Sequence, residues 1–275
     1  YGMRFHALPQ LALCLRDHRL HVPAELQGIA SFEREGGQEW VFAQGQDRIA
    51  KLYHYKTRHF ALGTAAHYRW NEWGYQETVL HLRLGDHPDA QAWINHPGET
   101  IHSGYGRPSY WGGSGTLPRV HQYRALAVAV FDCAEEQPDF THAWFPREAF
   151  DEVRVDGRFA FARRGQGVAM LAADRPFETV TRGPTAGNEL RVPGRKATWI
   201  VRLGSGTLDE LADAFSTIAV KQETGGLIAA VDPDYGEVRF HPDGRVEAEG
   251  RVIDPADWTV TGTATVLQTR PAAGR

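Results

Sequence analysis

Apolar residues recur at every second position through most of this chain, in short runs cut by turn residues. That pattern restricts the fold more than any composition figure, because a period of two puts alternate side chains on opposite faces of a strand. In the run from Gly74 to Leu84, Leu80, Leu82 and Leu84 share one face, and Tyr75, Glu77, Val79, His81 and Arg83 share the other. Ile49 to Thr57 predicts a strand with Tyr53, Tyr55, Thr57 and His59 opposite His54, Lys56 and Arg58. Val120 to Phe131 predicts one strand buried on both faces. Val153 to Phe161 predicts a hairpin about Asp156-Gly157, a dipeptide favoured in two-residue turns. Further strands are expected over 167–173, 197–203, 227–231, 237–240, 245–249 and 258–267, with a turn at Pro242-Asp243-Gly244.

Helical spacing is confined to two places. Leu8, Leu11, Ala12 and Leu15 mark a short helix closed by Pro23. Thr207-Leu208-Asp209-Glu210 has capping-box spacing, and Leu208, Leu211, Phe215 and Ile218 continue it as a second short helix. There is no repeat of 20–50 residues that would indicate a propeller or solenoid. The expected fold is therefore mainly β: an antiparallel two-sheet β-sandwich, supersandwich-like, with a short N-terminal helix and one short helix near 207–218. A helical segment over 1–27, a sandwich over 28–269 and a tail over 270–275 are the expected divisions.

Composition removes several functional classes. A 42% hydrophobic and 23% charged chain is globular rather than disordered. A net charge of -4 and a pI near 6.4 argue against a generic nucleic-acid binder. No apolar run is long enough to span a membrane. The opening apolar stretch is broken by Arg16, Asp17, His18 and Arg19, and no signal peptide is read there, although a leader preceding Tyr1 stays open. Cys14 and Cys133 read as two buried free thiols or as a single long-range disulfide. There is no GxSxG elbow, phosphate loop, HExxH or GxGxxG.

What remains is a compositional excess. Residues 51–123 hold eight of the thirteen His, seven of the nine Tyr and four of the eight Trp, where an even spread would place about three or four His. Aromatic faces stack on a sugar ring, Arg and His hydrogen-bond it, and Gly admits its close approach. Composition alone favours the plainer account, histidines on the solvated face of an aromatic-rich sheet. Residues 104–115 add five glycines to Tyr105, Arg107, Tyr110 and Trp111, the make-up of a binding or covering loop, or of a packed Ω-loop. His59, His67, Glu77, His81, His96 and His102 could supply zinc ligands, with His59, Glu77 and His96 as the trio singled out. The same residue types suit β-elimination at a uronic acid. That reaction needs a neutralised carboxylate, a base for the α-proton and an acid, often Tyr, for the leaving oxygen. Glu72, Glu77 and Glu99 keep glycoside hydrolysis open as a weaker alternative.

The order of YHYKTRHFALGTAAHYR, EWGYQETVLHLRLG, INHPGE, RPSYWGGSGTLPRVHQYR and THAWFPREAFDEV resembles the C-terminal β region of heparinase II/III-like polysaccharide lyases. The stretch GLIAAVDPDYGEVRFHPDGRVEAEGRVI resembles the closing strands of that region, so the resemblance covers roughly residues 40–255. It rests on pattern rather than a diagnostic motif. It implies an α/α toroid that precedes the β domain and supplies the catalytic Tyr, while the β domain contributes a His and sometimes a structural zinc. The implied partners are an acidic polysaccharide and a toroid not in this chain, and the implied location is periplasmic or secreted. His59, His96, Arg107 and Tyr110 are the expected catalytic positions. Trp111, Tyr105, Tyr75, His81, Arg83 and Trp73 are the expected glycan contacts. The alternative is a non-catalytic carbohydrate-binding or scaffold sandwich.

Overall fold

The structure is a computed structural model that describes residues 37–44, 49–66, 68–85, 87–100, 106–134, 138–258 and 265–267. The helix expected at 8–15, Cys14, His67, His102, Tyr105, the boundary near residue 28 and the tail over 270–275 lie outside those residues.

Strands appear where the two-residue period is cleanest. The first five are β1 (Gln38–Gln44), β2 (Ala50–Lys56), β3 (Phe60–Ala66), β4 (Leu80–Leu84) and β5 (Gln91–Asn95). They are followed by β6 (Arg119–Tyr123), β7 (Leu126–Asp132), β8 (Phe140–Trp144), β9 (Glu152–Asp156), β10 (Phe159–Arg164) and β11 (Gly167–Ala173). Next come β12 (Glu178–Thr179), β13 (Glu189–Pro193), β14 (Lys196–Ser205) and the helix α1 (Leu208–Ser216). The last strands are β15 (Ala219–Gln222), β16 (Ile228–Asp232), β17 (Gly236–Phe240), β18 (Val246–Ala248), β19 (Arg251–Ile253) and β20 (Thr265–Leu267).

They form three antiparallel sheets. The largest has nine strands in the order β12-β13-β8-β5-β4-β3-β2-β1-β20; the second has six in the order β6-β7-β14-β11-β10-β9. These two are the expected sandwich. Its core joins Leu62, Leu82, Ile94, Ala143 and Leu190 of the first sheet to Ala129, Ala162, Leu171, Trp199 and Val201 of the second. A third sheet, β15-β16-β17-β18-β19, is additional to that expectation. With Leu208, Ala212 and Phe215 of α1, its Ile228, Ala230, Val238 and Phe240 cover the other face of the six-stranded sheet at Leu126, Val128, Met170 and Ile200. The six-stranded sheet is thus a middle layer, which is why its strands read as apolar on both faces.

Two local readings are corrected. Val120 to Phe131 is two strands, not one, because the chain reverses at Arg124-Ala125 with Arg124 at φ 46°. Neither turn residue is Gly or Pro, so the reversal carries no ordinary signal. In the run 74–84 only Leu80–Leu84 is a strand, and Gly74 makes an isolated bridge to Ser114. Leu80, Leu82 and Leu84 are buried as expected, but Val79 is buried as well. The hairpin at Asp156-Gly157 forms with Gly157 at φ 55°. Thr207 caps α1 by accepting from the Glu210 N–H at 3.4 Å, while the Glu210 carboxylate accepts from the Thr207 N–H at 3.4 Å. Cys133 is a buried free thiol, pushed up to about 12 by burial.

Candidate functional site

Pairing register decides which side chains meet on the outer face of the nine-stranded sheet. One row runs Trp40, His54, Gly63, His81, Trp93, Trp144 and Glu189, each directly opposite the next. The adjacent row carries Asn95, His142 and Arg191. A Cβ at Gly63 would lie 2.8 Å from His54 Nδ1, so the missing side chain makes room for the His54 ring. Burial, then the nearby His81, lowers the proton affinity of His54. His81 Nε2 donates to Gln91 Oε1 at 2.8 Å, and the ring stacks near-parallel with Trp93, with ring centroids 6.3 Å apart. Trp93 in turn stacks with Trp144 at 5.7 Å. Direct cross-strand pairs bring rings this close as a matter of sheet geometry.

The glycine-rich loop lies against this face. The Trp111 ring covers His142 at 4.0 Å, only 6° from parallel, and meets Trp144 edge-on at 5.4 Å. Beneath it is a closed polar cluster centred on the Glu189 carboxylate. Tyr110 Oη donates to Glu189 Oε1 at 2.7 Å, Arg191 Nε donates to it at 2.7 Å, and Thr185 Oγ1 donates to Oε2 at 2.6 Å. His142 Nδ1 stands 3.1 Å from Oε1, and Arg191 Nη2 donates to Tyr110 Oη at 2.6 Å. Burial alone would raise Glu189, but these hydrogen bonds outweigh it and hold the carboxylate at about 2. Burial lowers His142 and raises Tyr110 well above the ordinary phenol range.

A second set of rings stands at the end of the sheet, on the loop between β3 and β4. Gly74 and Ser114 exchange two backbone hydrogen bonds of 2.9 Å, tying this loop to the glycine-rich one. Gly113, at φ 87°, sits so close that a Cβ would lie 2.2 Å from the Tyr75 carbonyl oxygen. Arg69 braces the loop by donating to Glu72, Glu77 and the Trp73 carbonyl. Held this way, Trp73 and Tyr75 meet edge to face at 4.1 Å and remain 41% and 53% exposed.

The sequence-derived residues divide accordingly. Trp73 and Tyr75 lie on a loop bridged to the one that carries Tyr110 and Trp111, and His81 and Arg83 stand on β4 with intermediate exposure. Arg107 is exposed on the glycine-rich loop. His96 is fully buried; its Nε2 stands 2.7 Å from the Pro138 carbonyl, and burial lowers it to about 4. The expected zinc trio does not assemble. His59 lies in the β2–β3 turn, its carbonyl accepting from Gly85, while His96 follows the far end of β5. About seven residues of strand separate those levels, roughly 20 Å at 3.3 Å per residue. Glu77, at the His96 end, is taken by Arg69 and Tyr68. Among the described residues no group of three His, Cys, Asp or Glu is placed to hold a metal ion.

Trp93, His142, Trp144, Glu189 and Arg191 were not singled out from the sequence. Their signal was present as alternation in Thr141-His142-Ala143-Trp144 and Glu189-Leu190-Arg191-Val192. What was missing was the knowledge that β8 lies between β5 and β13. No protein-family model, curated protein or solved structure matches the chain. No helix among the described residues is long and apolar enough to cross a membrane.

Proposed function

We propose that the chain is the β module of a heparinase II/III-like polysaccharide lyase, and that its own part is to hold a uronic-acid-containing glycan along the outer face of the nine-stranded sheet. The observation that carries this reading is the exposed Trp73–Tyr75 pair, on a loop bridged at Gly74–Ser114 to the loop whose Trp111 packs on Trp93 and Trp144. The exposed pair offers stacking faces to a sugar, and the half-buried rings of Trp93, Trp111 and Trp144 extend the aromatic surface of the sheet. Arg83 and the exposed Arg107 supply cationic groups on the same sheet and loop.

The elimination chemistry is assigned to the toroid rather than to this chain. Tyr110 is buried and committed to Glu189, and His96 is buried against a backbone carbonyl, so neither group is open to a substrate in this arrangement. A stand-alone carbohydrate-binding module is the second reading, and the burial of those two residues favours it. Retention on immobilised acidic oligosaccharides, with neutral oligosaccharides as control, tests the shared part. Trp73→Ala with Tyr75→Ala should abolish retention while circular dichroism stays unchanged; retention equal to the parent would sink both readings. Ultraviolet absorbance of unsaturated uronate separates them. The full-length parent should generate it if the lyase reading holds, and none on any acidic glycan leaves only the binding module.

A further inference from the structure

Arg119 opens β6 at the edge of the middle sheet, and the residue is 8% exposed. Every comparably buried guanidinium needs compensation, because an always-charged group taken from water is costly unless it is paired. Arg202, 2% exposed, shows the ordinary solution: its Nε donates to Asp232 at 2.6 Å and its Nη2 to Asp234 at 2.6 Å. Arg119 has no such partner. Among the described residues no hydrogen bond or ion pair reaches its guanidinium, and its Nε is buried without an acceptor. Burial lowers its proton affinity.

The surroundings are shaped around that charge. The Trp70 ring, 47% exposed, lies 5.5 Å from the guanidinium carbon. Gly226, at φ 84° in the turn before β16, faces Arg119 Nη1, and a Cβ there would stand 2.9 Å from it. A side chain at 226 would crowd the guanidinium, which packs against this turn with Pro242 Cγ also 3.4 Å from that position. Asn71 N–H donates to the Leu117 carbonyl at 3.0 Å, so the loop that carries Trp70 is fastened two residues ahead of Arg119. That same loop carries Trp73 and Tyr75.

We propose that Arg119, beneath Trp70 and beside Gly226, is an oxyanion-binding subsite that takes the carboxylate of a uronate residue on the glycan. A guanidinium fork matches a carboxylate or sulfate in two parallel hydrogen bonds, and the indole both holds the fork and offers its exposed surface to the sugar ring. Naming the anion as a uronate rests on the glycan reading above; the oxyanion site itself does not.

Thermal unfolding and titration calorimetry with sodium glucuronate, sodium sulfate and glucose, at ionic strength matched with chloride, test this. Glucuronate and sulfate should raise the unfolding midpoint of the parent and glucose should not, since a ligand bound only by the native state stabilises it. Arg119→Met should unfold at or above the parent's midpoint in anion-free buffer, because it removes an unpaired charge. It should also bind glucuronate roughly tenfold more weakly, or worse. A lower midpoint for Arg119→Met, including failure to fold, overturns the proposal, because Arg119 would then be a structural group. So does glucuronate binding that survives Arg119→Met. If that binding is instead lost in the Trp73→Ala, Tyr75→Ala variant, the glycan reading stands without this subsite. Stabilisation of the parent by sulfate but not by glucuronate upholds the oxyanion site and removes the glycan reading.

Discussion

Arg191 and Arg119 are two sheet-borne arginines, both drawn partly or largely out of water, and the fold treats them in opposite ways. Arg191 sits in a completed network, sharing Glu189 with Tyr110, His142 and Thr185. Among the described residues Arg119 has an indole for company and no anion. A buried charge neutralised by its own chain has no remaining valence for a ligand, whereas an uncompensated one is stabilised by an anion from outside. The cluster around Glu189, rich in titratable groups, is therefore structural. The poorer one is the better candidate for recognition.

The largest effect should come from breaking the completed network. Glu189→Ala leaves Arg191, Tyr110, Thr185 and His142 without their common acceptor, and a loss of about 3–5 kcal/mol in urea unfolding is expected. A change below about 1 kcal/mol would mean that the cluster is not the structural anchor described here.

Acid should reach the same network in two steps. His142 is held below its ordinary value of 6.5, so the unfolded chain takes that proton first, and stability falls as pH drops through and below 6.5. Glu189 is held at about 2 against an ordinary 4.5, so its contribution is whole above about pH 4.5 and is lost as pH falls toward 2. Glu189→Gln should flatten the lower step and leave the upper one in a pH series of unfolding midpoints. An unchanged lower step would assign acid sensitivity elsewhere.

Smaller changes sharpen the contrast. Tyr110→Phe removes one hydrogen bond to Glu189 while its other partners remain, and should cost about 1–2 kcal/mol. Trp70→Phe should leave stability within about 0.5 kcal/mol and weaken the glucuronate response only severalfold, in keeping with a cation–π contact of about 0.5–1 kcal/mol. Equal loss of stability in the two variants would erase the distinction between a structural and a recognition arginine.

Much of the fold was legible along the chain. The Asp156-Gly157 hairpin and the capped helix from Leu208 form from contacts within a few residues of one another, and the strand at 167–173 is a continuous apolar run bounded by glycine, so local pattern suffices for them. The turn at Arg124-Ala125 was not legible, because a non-glycine residue at positive φ sits where the apolar pattern simply continues. In the candidate site, the sequence identified the aromatic pair Trp73 and Tyr75 and the Tyr110–Trp111 loop. It also assigned open, reactive roles to Tyr110 and His96, which are buried.

By itself the sequence determined the class of fold, the strands with clean alternation, the capped helix and the stretch in which aromatic and histidine side chains gather. Tertiary structure decided which of those side chains are used up. Tyr110 meets Glu189 from 79 residues away because β8 and β13 come to lie beside β5, and strand order across such separations is not written in any local period. Arg119 looks like any other arginine in the sequence. Only the packing of β6 against Trp70 and Gly226, with no acid pairing it among the described residues, leaves its charge unanswered.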